Sequence, residues 1–214
     1  MSKFPTIPET VLGIDCFHED VIPSFRYMKD AGVKVCIAKL GEGTFVDRSF
    51  ISHIQRASML GMANAGYWFA RPDVNTAIQG GSIIGNLPKG MRVFLDLEPS
   101  LEKPNDLGSD RWEMLSLARR QKVLAGLVST AKAMIPPKSI GLYCTKDFWE
   151  NVLGAPDGYQ AHPWWAAEYG VDSPKQAKNL GPWVGWQFTG TGAIPGFTGD
   201  ADLSLWKKTF WGLV

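Results

Sequence analysis

The stretch Arg92-Val93-Phe94-Leu95-Asp96-Leu97-Glu98-Pro99 decides how the chain is read. Three apolar residues run straight into two carboxyls spaced i and i+2, and a proline stops the run. A short apolar run bounded by breakers is the pattern of a buried strand. Side chains alternate along a strand, so Val93, Leu95 and Leu97 share one face and Phe94, Asp96 and Glu98 the other. A strand of this kind ends in a pair of carboxyls on one side.

Outward from this strand, short apolar runs alternate with longer amphipathic ones. Strands are expected at Val11–Phe17, Val33–Leu40, Ala63–Ala70, Arg92–Leu97 and Ser139–Thr145. Helical patterns follow each of them, at Pro23–Ala31, Asp47–Leu60, Asp73–Ile84, Arg111–Met134 and Lys146–Leu153. Gly32 and Gly61 are stop signals, Pro136-Pro137 ends the longest helix, and Asp73 is placed near the N-cap of its helix. The polar stretch Ser100–Asp110 reads as irregular. Beyond Leu153 the pattern changes to three extended segments, Trp164–Tyr169, Trp183–Thr189 and Ala201–Leu205, with no convincing helix between them. Strand–helix alternation implies parallel strands with right-handed crossovers. Eight strands, of which five are followed by helices, give an α/β fold: an irregular TIM-like (β/α) barrel lacking helices between its last three strands. A doubly wound open sheet is the competing architecture, and it would normally place helices there too.

The chain has 214 residues, 45% hydrophobic and 20% charged, with a net charge of +1. These values suit one globular domain, residues 1–214 with a core of about 11–206, and exclude disordered, collagenous and coiled-coil classes. No Lys/Arg block points to nucleic acid, and no apolar stretch is long enough for a membrane span. A monomer is expected. Cys16, Cys36 and Cys144 sit in apolar runs and read as buried thiols from a reducing compartment. Residues 1–10 lack the apolar core of a secretory signal.

In a barrel of this class the site lies at the C-terminal ends of the strands. Acids recur there: Asp15 ends the first strand, Glu42 follows the second, Asp96 and Glu98 end the fourth, and Asp202 opens the last. Two carboxyls side by side repel, so one is expected to hold its proton near neutral pH while the other ionises. That division of labour suits glycoside hydrolysis. A solvated loop start and a divalent-cation site are the alternatives for an isolated D-x-E. His18, His53 and His162 have no metal-ligand spacing. His53 is expected on a helix surface, and His18 beside the barrel mouth. No metal or cofactor is implied. Tyr67, Trp165, Tyr169, Trp186 and Gln187 lie on or beside strand ends, a mixture that fits either a saccharide groove or a core. Trp112, Trp149, Trp206 and Trp211 are assigned to packing.

The runs Gly13-Ile14-Asp15, Ala38-Lys39-Leu40-Gly41-Glu42-Gly43-Thr44, Gly66-Tyr67-Trp68-Phe69-Ala70 and Leu95-Asp96-Leu97-Glu98 resemble family 25 glycoside hydrolases, the Chalaropsis-type lysozymes. The likeness continues through Gly141-Leu142-Tyr143, Trp165-Ala166-Ala167-Glu168-Tyr169, Trp186-Gln187-Phe188, Pro195-Gly196 and Gly199-Asp200-Ala201-Asp202-Leu203, in the family's order. It implies an N-acetylmuramidase cleaving the β-1,4 bond between N-acetylmuramic acid and N-acetylglucosamine in peptidoglycan glycan strands. By that resemblance Glu98 is the general acid, Asp96 stabilises or orients the substrate, and Asp15 and Asp202 complete the catalytic set. Glu42, Tyr67, Trp68, Tyr143, Trp165, Tyr169, Trp186 and Gln187 are the expected sugar contacts. The sequence departs from the family at Phe17, where a serine is usual, at Trp68, where a histidine is usual, and at Ser204, where an asparagine is common. Two readings follow: a wall-acting lysozyme of the phage-endolysin kind, and a catalytically silent glycan-binding module with the same fold.

Overall fold

The computed structural model describes residues 4–101 and 110–213. Eight strands form a closed barrel: β1 (Thr10–Cys16), β2 (Val33–Glu42), β4 (Ala63–Phe69), β5 (Val93–Asp96), β6 (Ile140–Thr145), β7 (Trp164–Ala167), β8 (Trp183–Gly192) and β9 (Ala201–Lys207). The remaining strand, β3 (Phe45–Val46), folds back as a hairpin on the end of β2. Neighbours run β1-β9-β8-β7-β6-β5-β4-β2, and β1 pairs with β2 to close the ring. Six of the pairings are parallel, whereas β9 runs antiparallel to both β8 and β1. The all-parallel expectation therefore fails at the last strand. The link from β8 to β9, residues 193–200, is too short for a crossover, whereas the longer link 168–182 returns the chain from β7 to a parallel β8 without a helix.

Four crossover helices cover the barrel: α1 (Phe25–Asp30), α2 (Phe50–Met59), α3 (Thr76–Asn86) and α4 (Leu117–Lys132). A short α5 (Lys208–Trp211) follows β9, and a π-helical turn at Phe148–Val152 follows β6. The segments between β7, β8 and β9 carry no helix. Helix α3 starts later than its pattern suggested, capped by Asn75, whose side chain accepts from the Ala77 N–H at 2.8 Å. Asp73 instead pairs with Arg71 and Arg111. The expected helix from Arg111 also starts later. The Asp110 carboxylate accepts from the Trp112 N–H and closes a separate turn, whose carbonyls at Trp112, Glu113 and Leu115 are taken by the Arg120 guanidinium. Most of the irregular stretch expected at 100–110 lies outside the described residues. No described helix is long and apolar enough to cross a membrane.

Strand parity divides the core in two. Residues such as Val93, Leu95, Leu97, Trp68 and Trp186 face the helices, and α4 covers them with a stripe of Val123, Leu124, Leu127, Val128 and Ala131. Val35, Ile37, Ala65, Phe94, Tyr143, Trp165, Ala167 and Trp206 fill the barrel interior. Phe94, Trp165 and Trp206 touch one another with centroids 5.2, 5.4 and 5.6 Å apart, and they floor the barrel. Room for the Trp206 indole comes from Gly13 and Gly185, where a Cβ would stand 2.6 and 2.5 Å from its ring atoms. The three cysteines are free and buried. His53 is buried as well, against the expectation of a surface histidine. It lies on the inward stripe of α2 with Phe50, Ile54 and Ala57, and its Nδ1 is 3.5 Å from Cys16 Sγ.

Candidate active site

Above the aromatic floor, at the C-terminal ends of the parallel strands, lies a cavity of about 220 Å³. Asp15, Tyr67, Asp96, Glu98, Tyr143, Trp165, Tyr169, Gln187 and Asp202 line it. Asp15 comes from β1, Asp96 from the end of β5, and Glu98 from two residues further on the same face. Asp202 opens β9, and in an all-parallel barrel an opening residue would sit at the opposite pole. The reversal of β9 brings it to the mouth, where it pairs in register with Asp15.

The four carboxyls share a poorly solvated space, and each is pushed upward. Burial first, then repulsion from Asp202, raises Glu98 to about 7, against the pull of the Lys39 ammonium. Burial and the Glu98 charge hold Asp96 well above the ordinary range. Burial and Asp202 do the same for Asp15. Asp202 rises to about 6, mainly through burial, and the neighbouring Asp15 carboxyl restrains the rise. Carboxyls so raised divide into proton holders and anions near neutral pH. Asp96 Oδ1 is buried and has no hydrogen-bond partner among the described residues, which leaves it to a group that enters the cavity.

Neutral donors complete the wall. Tyr143 Oη donates to Gln187 Oε1 at 2.8 Å, Tyr169 Oη donates to the same oxygen, and Gln187 Nε2 donates to Asp15 Oδ2 at 3.0 Å. Trp165 Nε1 donates to Ser204 Oγ at 3.0 Å, which ties the ring into the floor. Tyr169 is 54% exposed and forms part of the rim.

Three expected sugar contacts do not reach the cavity. Trp68 is adjacent to inward-facing Tyr67, so alternation turns it outward, where it is fully buried and donates to Gln79 Oε1 at 3.2 Å. Trp186 stands in the same relation to Gln187, is fully buried on the helix side, and donates to the Glu168 carbonyl at 2.7 Å. Glu42 is the last residue of β2 and is held by Lys39 Nζ at 2.6 Å and Arg71 Nη1 at 3.3 Å. It acts as a counter-ion behind the cavity. His18 likewise turns to Asp47, with Nδ1 2.9 Å from its carboxylate.

Lys39 was missed as a functional side chain. It continues the inward parity of Val35 and Ile37, its ammonium lies 5.8 and 5.4 Å from the Phe17 and Phe69 ring centroids, and its charge opposes the rise of both Asp96 and Glu98. A lysine at the end of an inward-facing strand parity was the available signal. Among the described residues no group of three or more His, Cys, Asp or Glu is arranged to hold a metal ion. A larger groove of about 660 Å³ lies between α3 and α4, but the exposed Arg119 and Lys122 line it and no carboxyl pair does.

Comparison with known proteins adds an independent line. The family model for glycosyl hydrolases family 25 matches residues 14–197. Lysozyme M1 of Streptomyces globisporus is 26% identical over 201 residues, which cover 92% of this chain and 68% of that protein. The autolytic lysozyme of Clostridium acetobutylicum is 25% identical over 199 residues, covering 92% of this chain and 56% of that protein. The crystal structure of the bacterial lysozyme from Streptomyces coelicolor superposes with a TM-score of 0.82 at 26% identity, covering 94% of this chain and 93% of that one.

Proposed function

The chain belongs to family 25 of the glycosyl hydrolases and is a glycosidase, and from that premise we propose that it cleaves the β-1,4 bond between N-acetylmuramic acid and N-acetylglucosamine in peptidoglycan, with Glu98 as general acid. The observation that carries this reading is the acid-lined cavity at the barrel mouth, in which Glu98 is pushed up to about 7. An acid titrating there still holds its proton close to neutral pH and gives it up readily. The proton passes to the glycosidic oxygen as the bond from that oxygen to the anomeric carbon breaks. Positive charge then develops on the anomeric carbon and ring oxygen, and an ionised carboxylate in this confined cavity stabilises it; water finally adds to the anomeric carbon and gives a proton back to Glu98, which completes the hydrolysis. Asp202, titrating near 6, supplies a negative charge at neutral pH. Asp96, with a free oxygen inside the cavity, orients the substrate's N-acetyl group. Tyr67 and the exposed Tyr169 offer ring faces and hydroxyls to the sugar.

The test is Glu98→Gln, which keeps the shape and removes the proton. Turbidity loss of purified cell walls and release of new reducing ends are expected to fall by about 10²- to 10⁴-fold. Wild-type activity in this variant would overturn the assignment of Glu98. Binding of sacculi by the wild-type protein with no released fragments in the mass spectrum would instead favour a silent glycan-binding module.

A further inference from the structure

We propose that Gln187 is a positioning residue: Tyr143 and Tyr169 fix its amide, and the amide holds the Asp15 carboxyl in a single orientation against Asp202. The proposal rests on reading this cavity as a glycosidase site. Gln187 is buried in β8, with Ala167 of β7 and Ser204 of β9 as its register partners. A carboxamide oxygen has two lone pairs, and here two phenol hydroxyls take both. The amide nitrogen is thereby directed at Asp15 Oδ2, 3.0 Å away. A flipped amide would set its oxygen against a carboxyl oxygen and strip Asp15 of its donor.

The fixed amide determines where a proton sits. One Asp15 oxygen is an obligate acceptor from Gln187, so an acid proton on Asp15 occupies the other oxygen. Asp202 is the cross-strand partner of Asp15, and the neighbouring Asp15 carboxyl favours charge on Asp202. The groups facing Asp15 are otherwise acidic or neutral: Asp202 from β9, Asp20 from the loop after β1, Asp96 and Glu98 from β5 and its extension, and Tyr67 from β4. Against them, the Gln187 amide favours charge on Asp15. The pair therefore holds one proton on Asp15 and leaves the negative charge on Asp202, the arrangement that faces charge toward a developing cation.

Gln187→Leu removes the donor to Asp15 and the acceptor of both phenol hydroxyls together. Two readouts follow: the pH dependence of kcat on cell walls, and titration of ¹³Cγ-labelled aspartates by NMR in the folded protein without substrate. With the orientation lost, Asp202 is expected to lose part of the support of Asp15, so that its ionisation near 6 moves upward by about half to one pH unit. The acid limb of kcat should move with it. Tyr143→Phe/Tyr169→Phe, which frees the amide to flip, should move both in the same direction by less, and it carries the test if the leucine variant does not fold. An Asp202 titration and acid limb that stay in place in the folded variants would overturn the proposal. Absence of turnover in the wild-type protein would strike the glycosidase reading alone, because the NMR titration still decides the role of Gln187.

Discussion

Replacing Glu98 with glutamine should make the protein more stable in alkaline solution and leave it unchanged in acid. Burial and the Asp202 charge raise this carboxyl from 4.5 to about 7 in the folded protein. A raised acid binds its proton more tightly in the folded state than in the unfolded chain. Its contribution to stability is fully present below the unfolded value and is lost as pH rises through the folded one. Over the interval between the two values the loss reaches about 3 kcal/mol by pH 8, and at pH 4 it is negligible. Glutamine has no proton to lose. Any change it makes in packing is the same at both pH values, so the difference between the two isolates the carboxyl. For a protein of this size about 3 kcal/mol corresponds to a rise of roughly 6–12 °C in Tm. Thermal or denaturant melts of both proteins at pH 4, 6 and 8 measure it. A stability gap between variant and wild type that stays constant across this range would refute the electrostatic account of Glu98.

Lys39→Met removes an ammonium that restrains Glu98. The alkaline limb of kcat/KM, set near 7 by that carboxyl, should move upward by about half a unit or more, the effect being tempered because Glu42 already neutralises part of the charge. A limb that moves toward acid in a pH–rate series would contradict this. Gly185→Ala places a Cβ about 2.5 Å from the Trp206 ring, whose other side is closed by Gly13. Denaturant melts should show a loss of at least about 1–3 kcal/mol, since a packed barrel interior has nowhere to move the indole.

The barrel and its missing late helices were legible because each strand is a short apolar run between breakers, and because the helical period stops after Leu153. The Asp96–Glu98 pair was legible for the same local reason, a period of two that the backbone imposes. The same rule shows where the reading went astray. Tyr67 and Trp68 are neighbours on one strand, as are Trp186 and Gln187, and neighbours on a strand point to opposite faces. Each pair was nominated whole, and the structure brings one member of each to the cavity. His53 was misplaced although its spacing from Phe50, Ile54 and Ala57 puts it on the buried stripe of α2. The direction of β9 was not legible at all. It depends on pairing with β1, some 190 positions earlier in the chain, and no local pattern encodes it. The Tyr143–Gln187–Asp15 relay is of the same kind, since its members lie on separate strands.

The reversal of β9 also governs where the polypeptide leaves the barrel. Thr10, which starts β1, is paired with Lys207, which ends β9, while Asp15 and Asp202 are paired at the mouth. Entry and exit of the barrel chain therefore lie together at the pole remote from the cleft. The residues before β1 climb the outer wall again, with Phe4 packed against Phe188, whereas a tether, an affinity tag or a surface anchor joined after β9 would extend from the back of the molecule and leave the opening clear to approach a solid, insoluble substrate.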